Sequence, residues 1–245
     1  MIQSIDRAAR ILELLGGARR MGITELATAL ELSPSTVHGL VKSLQAHRLV
    51  AQEAGGSRYM LGPALLRLSS VYLDTLDVRS RSIRWMHELS QRTGFATRLG
   101  VELFGDVMVI HHEQRPDGRE QMPETGVTIP SHASALGKVL LAHNEDHADS
   151  VLARGLEPLT GDTVTDPEAL RAQFADVRRL ALGYEVEEAL IGECSLAAPV
   201  ATTAGEVVAA VGIVVPSTQW PPSDTAVASL RDAARSISRD LGWGR

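Results

Sequence analysis

Ser33-Pro34 marks the start of a helix more firmly than any other pair in this 245-residue chain. A serine at the N-cap accepts from amides of the first turn. A proline one position later has no amide to leave unpaired, and its φ already suits the helix. Beyond it, Val37, Leu40, Val41 and Leu44 recur at spacings of three and four, which is one apolar stripe. The other face carries Ser35, Thr36, His38, Gly39, Lys42 and Ser43. Two more helical patterns come first. One has Ile5, Ala8, Leu12 and Leu15 inward, with Ser4 as cap and Gly16-Gly17 as stop. A short one follows Thr24, with Leu26, Ala27 and Leu30 inward. Residues 49–53 and 58–61 flank Gly55-Gly56 and read as a β-hairpin. Three helices and a hairpin are the layout of a winged helix-turn-helix over residues 1–62.

Such a domain must bury one face of its third helix and offer small, hydrogen-bonding side chains on the other, so that the helix can enter a major groove. Ser35, Thr36 and His38 lie in the first turns, where base edges would be met. Lys42, one turn on, suits a phosphate, and Arg58 beside the turn glycines is the natural wing contact. Thr24, opening the second helix, completes the candidate DNA contacts. Net charge over the whole chain is −6, which alone argues against a nucleic-acid partner. Its distribution argues otherwise: residues 1–62 carry seven Lys/Arg and five Asp/Glu, net +2, leaving −8 for the remainder. A mildly basic head on an acidic body points to two domains with different partners.

After Gly62-Pro63, residues 64–75 read as a linker helix on which Leu65, Leu68 and Tyr72 share a face, giving a linker over 63–77. The second domain, 78–245, mixes both periodicities. Helical stretches cover 78–92, 134–142, 165–182 (from a Thr165-Asp166-Pro167-Glu168 capping box to a stop at Gly183) and 223–241. Strands cover 96–104, 107–112, 195–201 and 206–215, and 113–127 reads as loop. The chain is therefore α+β: an N-terminal winged helix-turn-helix, a linker helix and a C-terminal α/β domain.

Several chemistries are disfavoured. The single cysteine, Cys194, allows no internal disulfide and no multi-cysteine metal site, and it fits a reducing cytoplasm. The apolar run 207–215 is far short of the ~20 residues that span a bilayer, and the first ten residues have no signal-peptide core. A cytoplasmic protein without a membrane partner is expected. Ala135-Leu136-Gly137-Lys138-Val139 has the end of a phosphate-binding loop but neither its upstream glycine nor the hydroxyl residue after the lysine. His111, His112 and His132 lack metal-ligand spacing, and Cys194 with His132 has no acid placed beside it. No metal and no cofactor is expected. On the residues alone two function classes stay open: a ligand-responsive DNA-binding regulator, and a small-molecule hydrolase or transferase with an accessory DNA-binding-like head.

Ser4-Ile5-Asp6-Arg7-Ala8, Thr24-Glu25-Leu26-Ala27, Ser35-Thr36-Val37-His38 and Tyr59-Met60-Leu61-Gly62 resemble the N-terminal domain of the IclR family of bacterial transcriptional regulators. The resemblance continues in order through residues 131–138, Thr165-Asp166-Pro167-Glu168, Gly183-Tyr184 and Ala197-Ala198-Pro199-Val200. Tyr72-Leu73-Asp74, His111-His112, Arg115-Pro116-Asp117 and the segment 136–140 are most similar to the group that regulates glycerol operons. The resemblance implies a GAF-like effector domain, a catabolic operon under control, action by repression, and homodimers or dimers of dimers on palindromic double-stranded operators.

It also implies a small-molecule effector held by backbone groups of Ala135, Leu136 and Gly137, by an acidic residue near Glu187 or Glu188, and by a strand position that falls on Ser195. Two further positions, hydroxyl-bearing in the family, fall on Gly212 and Val214. Their lost hydroxyls imply a roomier, more apolar floor and a larger or less polar effector.

Overall fold

The computed structural model describes residues 2–118 and 121–244, and its contacts divide the chain into two units, Met1–Thr75 and Leu76–Arg245. In the first unit α1 (Gln3–Ala18) leads through β1 (Met21–Gly22) to α2 (Ile23–Leu30) and α3 (Pro34–Ala46). Then come β2 (Val50–Gln52), β3 (Arg58–Leu61) and α4 (Ala64–Asp74). Ile11, Leu15, Leu26, Leu30, Val37, Val41 and Tyr59 meet in one core, so the apolar stripes of the three helices face each other. The hairpin of β2 and β3 gains a third strand, because Met21 and Gly22 pair with Tyr59 and Arg58.

Two expected boundaries move. α1 begins at Gln3 with Ile2 in the cap position and no side-chain cap, so Ser4 lies inside the helix. Gly16 and Gly17 lie in its last turns rather than after them. Both glycines are exposed, and an added Cβ would meet nothing within 4 Å, so their cost is the modest one of poor helix propensity. The helix over the linker ends at Asp74 and belongs with the first unit, and a separate helix begins at Asp77.

The second unit is built on a six-stranded antiparallel sheet in the order β6-β5-β4-β9-β8-β7. The strands are β4 (Ala96–Leu103), β5 (Asp106–Glu113), β6 (Thr128–Ile129), β7 (Gly183–Val186), β8 (Glu193–Ala201) and β9 (Val207–Pro216). α5 (Asp77–Thr93) and α9 (Asp224–Asp240) pack together and onto the central strands. The hydroxyl of Thr97 reaches the carbonyl of Met86 on α5 at 3.4 Å. Its neighbour Arg98 shares the opposite face with Gly100 and Gly212, which lie against Leu136. That face is covered by α6 (Ala135–Ala142), a helix buried along its whole length. α7 (Glu145–Arg154) and α8 (Pro167–Leu180) pack outside it.

Serine caps open α3, α6 and α9: Ser33, Ser134 and Ser223 accept from the amides of Thr36, Gly137 and Ala226 at 3.2 to 3.3 Å. At α8 the cap is Asp166 rather than Thr165, accepting from Ala169. The helix ends at Leu180 with Ala181 left-handed, so Gly183 is not its stop. Gly183 instead opens β7, pressed so closely that a Cβ would stand 2.9 Å from Val139 Cγ2 and 3.1 Å from the Ala135 carbonyl. Within the expected loop 113–127, residues 119 and 120 lie outside the described residues.

Candidate functional site

In the first unit, α3 keeps Val37, Val41 and Leu44 in the core and leaves Ser35, Thr36, His38 and Lys42 exposed. The Ser33 hydroxyl lies within hydrogen-bond distance of the hydroxyls of Ser35 (3.0 Å) and Thr36 (2.8 Å), so the helix start is a cluster of three hydroxyls. Thr24 is exposed in the first turn of α2. Arg58 is exposed on β3, but its guanidinium is engaged: Nη2 donates to Glu25 Oε1 at 2.9 Å. Glu25 in turn accepts from the Gly22 amide at 2.6 Å. A phosphate would have to compete with that carboxylate, and sequence reasoning did not foresee the pair.

In the second unit a cavity of about 290 Å³ opens between the start of α6 and the sheet. Ser134, Ala135 and Leu136 form one wall, Ser195, Leu196 and Ala197 another, and Gly212, Ile213 and Val214 the floor. Ile129, Pro130, Ala189 and Leu190 close the sides. Of the expected effector residues, Ala135, Leu136, Ser195, Gly212 and Val214 line it. Gly137 does not: it backs onto Ser131, where a Cβ would lie 2.1 Å from the carbonyl oxygen, so glycine serves close packing at that position. Glu187 lies outside the lining too, and its carboxylate accepts from the Gly192 amide at 2.6 Å.

The expected extra room at Gly212 is a correction. A Cβ there would meet the Leu196 carbonyl at 2.9 Å and Leu136 Cδ2 at 3.3 Å. The space left by a missing side chain is thus filled by Leu136, and the cavity sits at the small end of ligand pockets, which run from roughly 300 Å³ upward.

Arg98, Glu185 and Glu193, none of them singled out from the sequence, line this space, and the Lys138–Glu188 pair lies outside the lining. Glu185, buried on β7, accepts from the Ser195 hydroxyl at 2.8 Å and from the Glu188 amide at 3.0 Å. Burial pushes its carboxyl up to about 7, against the opposing effect of those two hydrogen bonds. Glu188, the alternative to Glu187, is bound to Lys138 of α6 in a pair whose side chains are 7% and 1% exposed. Burial holds the Lys138 ammonium below its ordinary value, with Glu188 opposing the shift. Arg98 lines the cavity between two carboxylates: Nε and Nη2 bond Glu124, and Nη1 donates to Glu193 at 2.8 Å. Burial works against its charge, but Glu124 and Glu193 together outweigh it and hold the guanidinium above its ordinary value.

α6 supplies backbone donors. Ser134 takes the Gly137 amide, while those of Ala135 and Leu136, the first two of the helix, have no acceptor among the described residues. Cys194, next to Ser195, is buried and does not line the cavity, as strand alternation requires. His132 is bonded to the Glu157 carbonyl at 2.9 Å, and among the described residues no group of three or more His, Cys, Asp or Glu is placed to hold a metal ion. No helix among them is long and apolar enough to cross a membrane. The cavity thus sets the backbone amides at the start of α6 on one side against the Ser195 hydroxyl and the Glu185 carboxylate on the other.

Residues 4–54 match the IclR helix-turn-helix domain, and residues 70–239 match the bacterial transcriptional regulator IclR C-terminal domain. The chain is 39% identical to the glycerol operon regulatory protein of Streptomyces griseus and 37% identical to that of Streptomyces coelicolor. Each alignment covers all of this chain and 98% of the relative. Among solved structures, an IclR homologue from Microbacterium hydrocarbonoxydans complexed with 4-hydroxybenzoate superposes with a TM-score of 0.85 at 26% identity, covering 98% of this chain and 99% of that one.

Proposed function

Because the chain belongs to the IclR family of bacterial transcriptional regulators, we propose that it represses a catabolic operon as a homodimer, in the cytoplasm, and is released or retuned when a small metabolite fills the cavity beside α6. The observation that carries the reading is the exposed polar face of α3: three hydroxyls at a capped helix start, His38 beside them and Lys42 one turn on. Ser35, Thr36 and His38 read base edges, Lys42 and Arg58 meet phosphates, and Thr24 anchors the start of α2. The glycerol operon regulators among its relatives make an operon for glycerol use the first regulon to test.

Pairing is supported by α4. It buries none of its residues within its own unit, and it leaves Leu66, Leu68, Val71 and Tyr72 exposed. A single head of net charge +2 has a weak electrostatic hold on DNA, and two linked heads convert the second contact into an intramolecular one. The enzyme alternative finds no support in the family. The test is fluorescence anisotropy of the full chain on DNA taken from upstream of its own coding region and on composition-matched random DNA, over a salt series. Tighter binding to the first, weakening steeply with salt, is expected. Equal binding to both would overturn the reading.

A further inference from the structure

We propose that the cavity beside α6 takes a neutral, polyhydroxylated molecule, between glycerol and a pentitol in size, and rejects carboxylates and phosphate monoesters of similar size. The proposal rests on the reading of this cavity as the effector site and adds the charge class of the ligand. Among the described residues the only cation lining the cavity is Arg98, and it is already matched. Glu124 holds two of its nitrogens and Glu193 a third, so guanidinium and carboxylates together carry one net negative charge. Lys138, a buried cation on α6 outside the lining, is bound to Glu188. An anionic ligand would have to enter beside Glu193 and Glu185 with no cation of its own. Like charges in a poorly solvated space repel, so it would have to evict Glu124 or Glu193.

The hydrogen-bonding pattern selects in the same direction. The ionised Glu185 offers carboxylate lone pairs, and Ser195, whose O–H donates to Glu185, offers its own. Such a wall wants donors, and an ionised carboxylate has none. The opposite wall, the Ala135 and Leu136 amides, wants acceptors. A hydroxyl donates and accepts, so a molecule with hydroxyls on adjacent carbons satisfies both walls at once. Its C–H faces meet Leu136, Ile129 and Val214. The cavity volume suits a small molecule of this kind.

The test is isothermal titration of the full-length chain, at a pH above the Glu185 transition, with glycerol, erythritol and ribitol against glycerate and glycerol 3-phosphate. At least one polyol gives a saturable isotherm, and neither anion does. Glu185→Gln weakens the polyol about tenfold or more, the scale of a hydrogen bond to a charged group. Should that variant not fold, Ser195→Ala, which removes one hydroxyl, shows the same direction of change. Absence of a saturable isotherm for all three polyols at tens of millimolar overturns the proposal. Tighter binding of glycerate or glycerol 3-phosphate, lost in Arg98→Gln, also overturns it while leaving the effector site in place. An isotherm unchanged by Ala189→Phe, which fills the cavity from its side, puts the ligand elsewhere and overturns the underlying reading as well.

Discussion

Ser195 on β8 stands directly across from Glu185 on β7 and donates its hydroxyl to that carboxylate at 2.8 Å. The other oxygen of Glu185 accepts from the Glu188 amide, and the Glu188 side chain is paired with Lys138 on α6. A wall of the cavity is thereby tied, through two carboxylates, to the helix that forms the opposite wall. Ser195 and Glu185 line the cavity, and Glu188 and Lys138 stand behind them.

The first consequence is a pH-dependent stability. Burial raises the Glu185 carboxyl from 4.5 to about 7, so the folded state holds this proton more tightly than the unfolded chain does. The sign follows: the stabilisation is fully present below about pH 4.5 and is lost as pH rises through about 7, up to about 3 kcal/mol in all. Urea unfolding of the wild type is expected to show a falling stability over that window, and Glu185→Gln is expected to lack that component. Parallel pH profiles for the two proteins would contradict the assignment.

Breaking the Lys138–Glu188 pair on one side strands a buried charge. Lys138→Met is expected to cost about 3–5 kcal/mol, because Glu188 then has no cation. Lys138→Met with Glu188→Leu is expected to be more stable than Lys138→Met alone, since it removes the stranded carboxylate and gives up only the long 3.4 Å bond from the Val164 amide. Denaturant midpoints of the four proteins of the cycle check this. A double variant less stable than either single one would show that the pair is not the dominant contact.

On DNA, Lys42 and Arg58 are expected to differ. Lys42→Ala should weaken binding to all sequences and lower the salt slope by about one. Arg58→Ala should do less, because in the free protein its guanidinium already bonds Glu25, and part of any phosphate contact replaces that pair. His38→Ala should relax base preference, costing about 1–3 kcal/mol on the preferred sequence and little on random DNA. Anisotropy titrations at several salt concentrations separate these cases.

Assembly is testable at α4. Leu68→Glu with Tyr72→Glu places charges on two exposed apolar positions and should leave each unit folded while shifting the proposed dimer to monomer. Sedimentation velocity at micromolar concentration reads it. A monomeric wild type would remove the role assigned to this helix.

Much of this arrangement was legible because it depends on local chemistry. The serine caps at Ser33 and Ser223, the apolar stripe of α3 and the glycine turn after β2 are each set by a few adjacent residues. What escaped depends on register or on burial against type. β7 is a four-residue edge strand whose inward side chain is a carboxylate, so alternation of apolar residues could not mark it. The resemblance points instead to Glu187 or Glu188, downstream of Gly183-Tyr184, whereas the buried carboxylate of β7 is Glu185. The Arg98 cluster joins residues 26 and 95 positions apart, which only the pairing of strands reveals. α7 is polar along most of its length, but Asn144 before Glu145 and Asp146 was a usable start signal: its side chain accepts from the His147 amide. At Gly212 the residue type was read correctly and its consequence wrongly. A missing side chain opens space only if no neighbour moves in, and Leu136 does.

Occupancy of the cavity is predicted to change affinity for DNA. The direct measurement is the dissociation constant of the full chain for DNA upstream of its own coding region, with and without the polyol that binds most tightly, in wild type and in Ala189→Phe. Coupling free energies between two sites are typically 1–3 kcal/mol, a change of about 5–150-fold. The wild type is predicted to shift by that factor and the folded Ala189→Phe variant not to shift. A wild-type affinity indifferent to saturating ligand, or a variant that responds as the wild type does, would contradict the account.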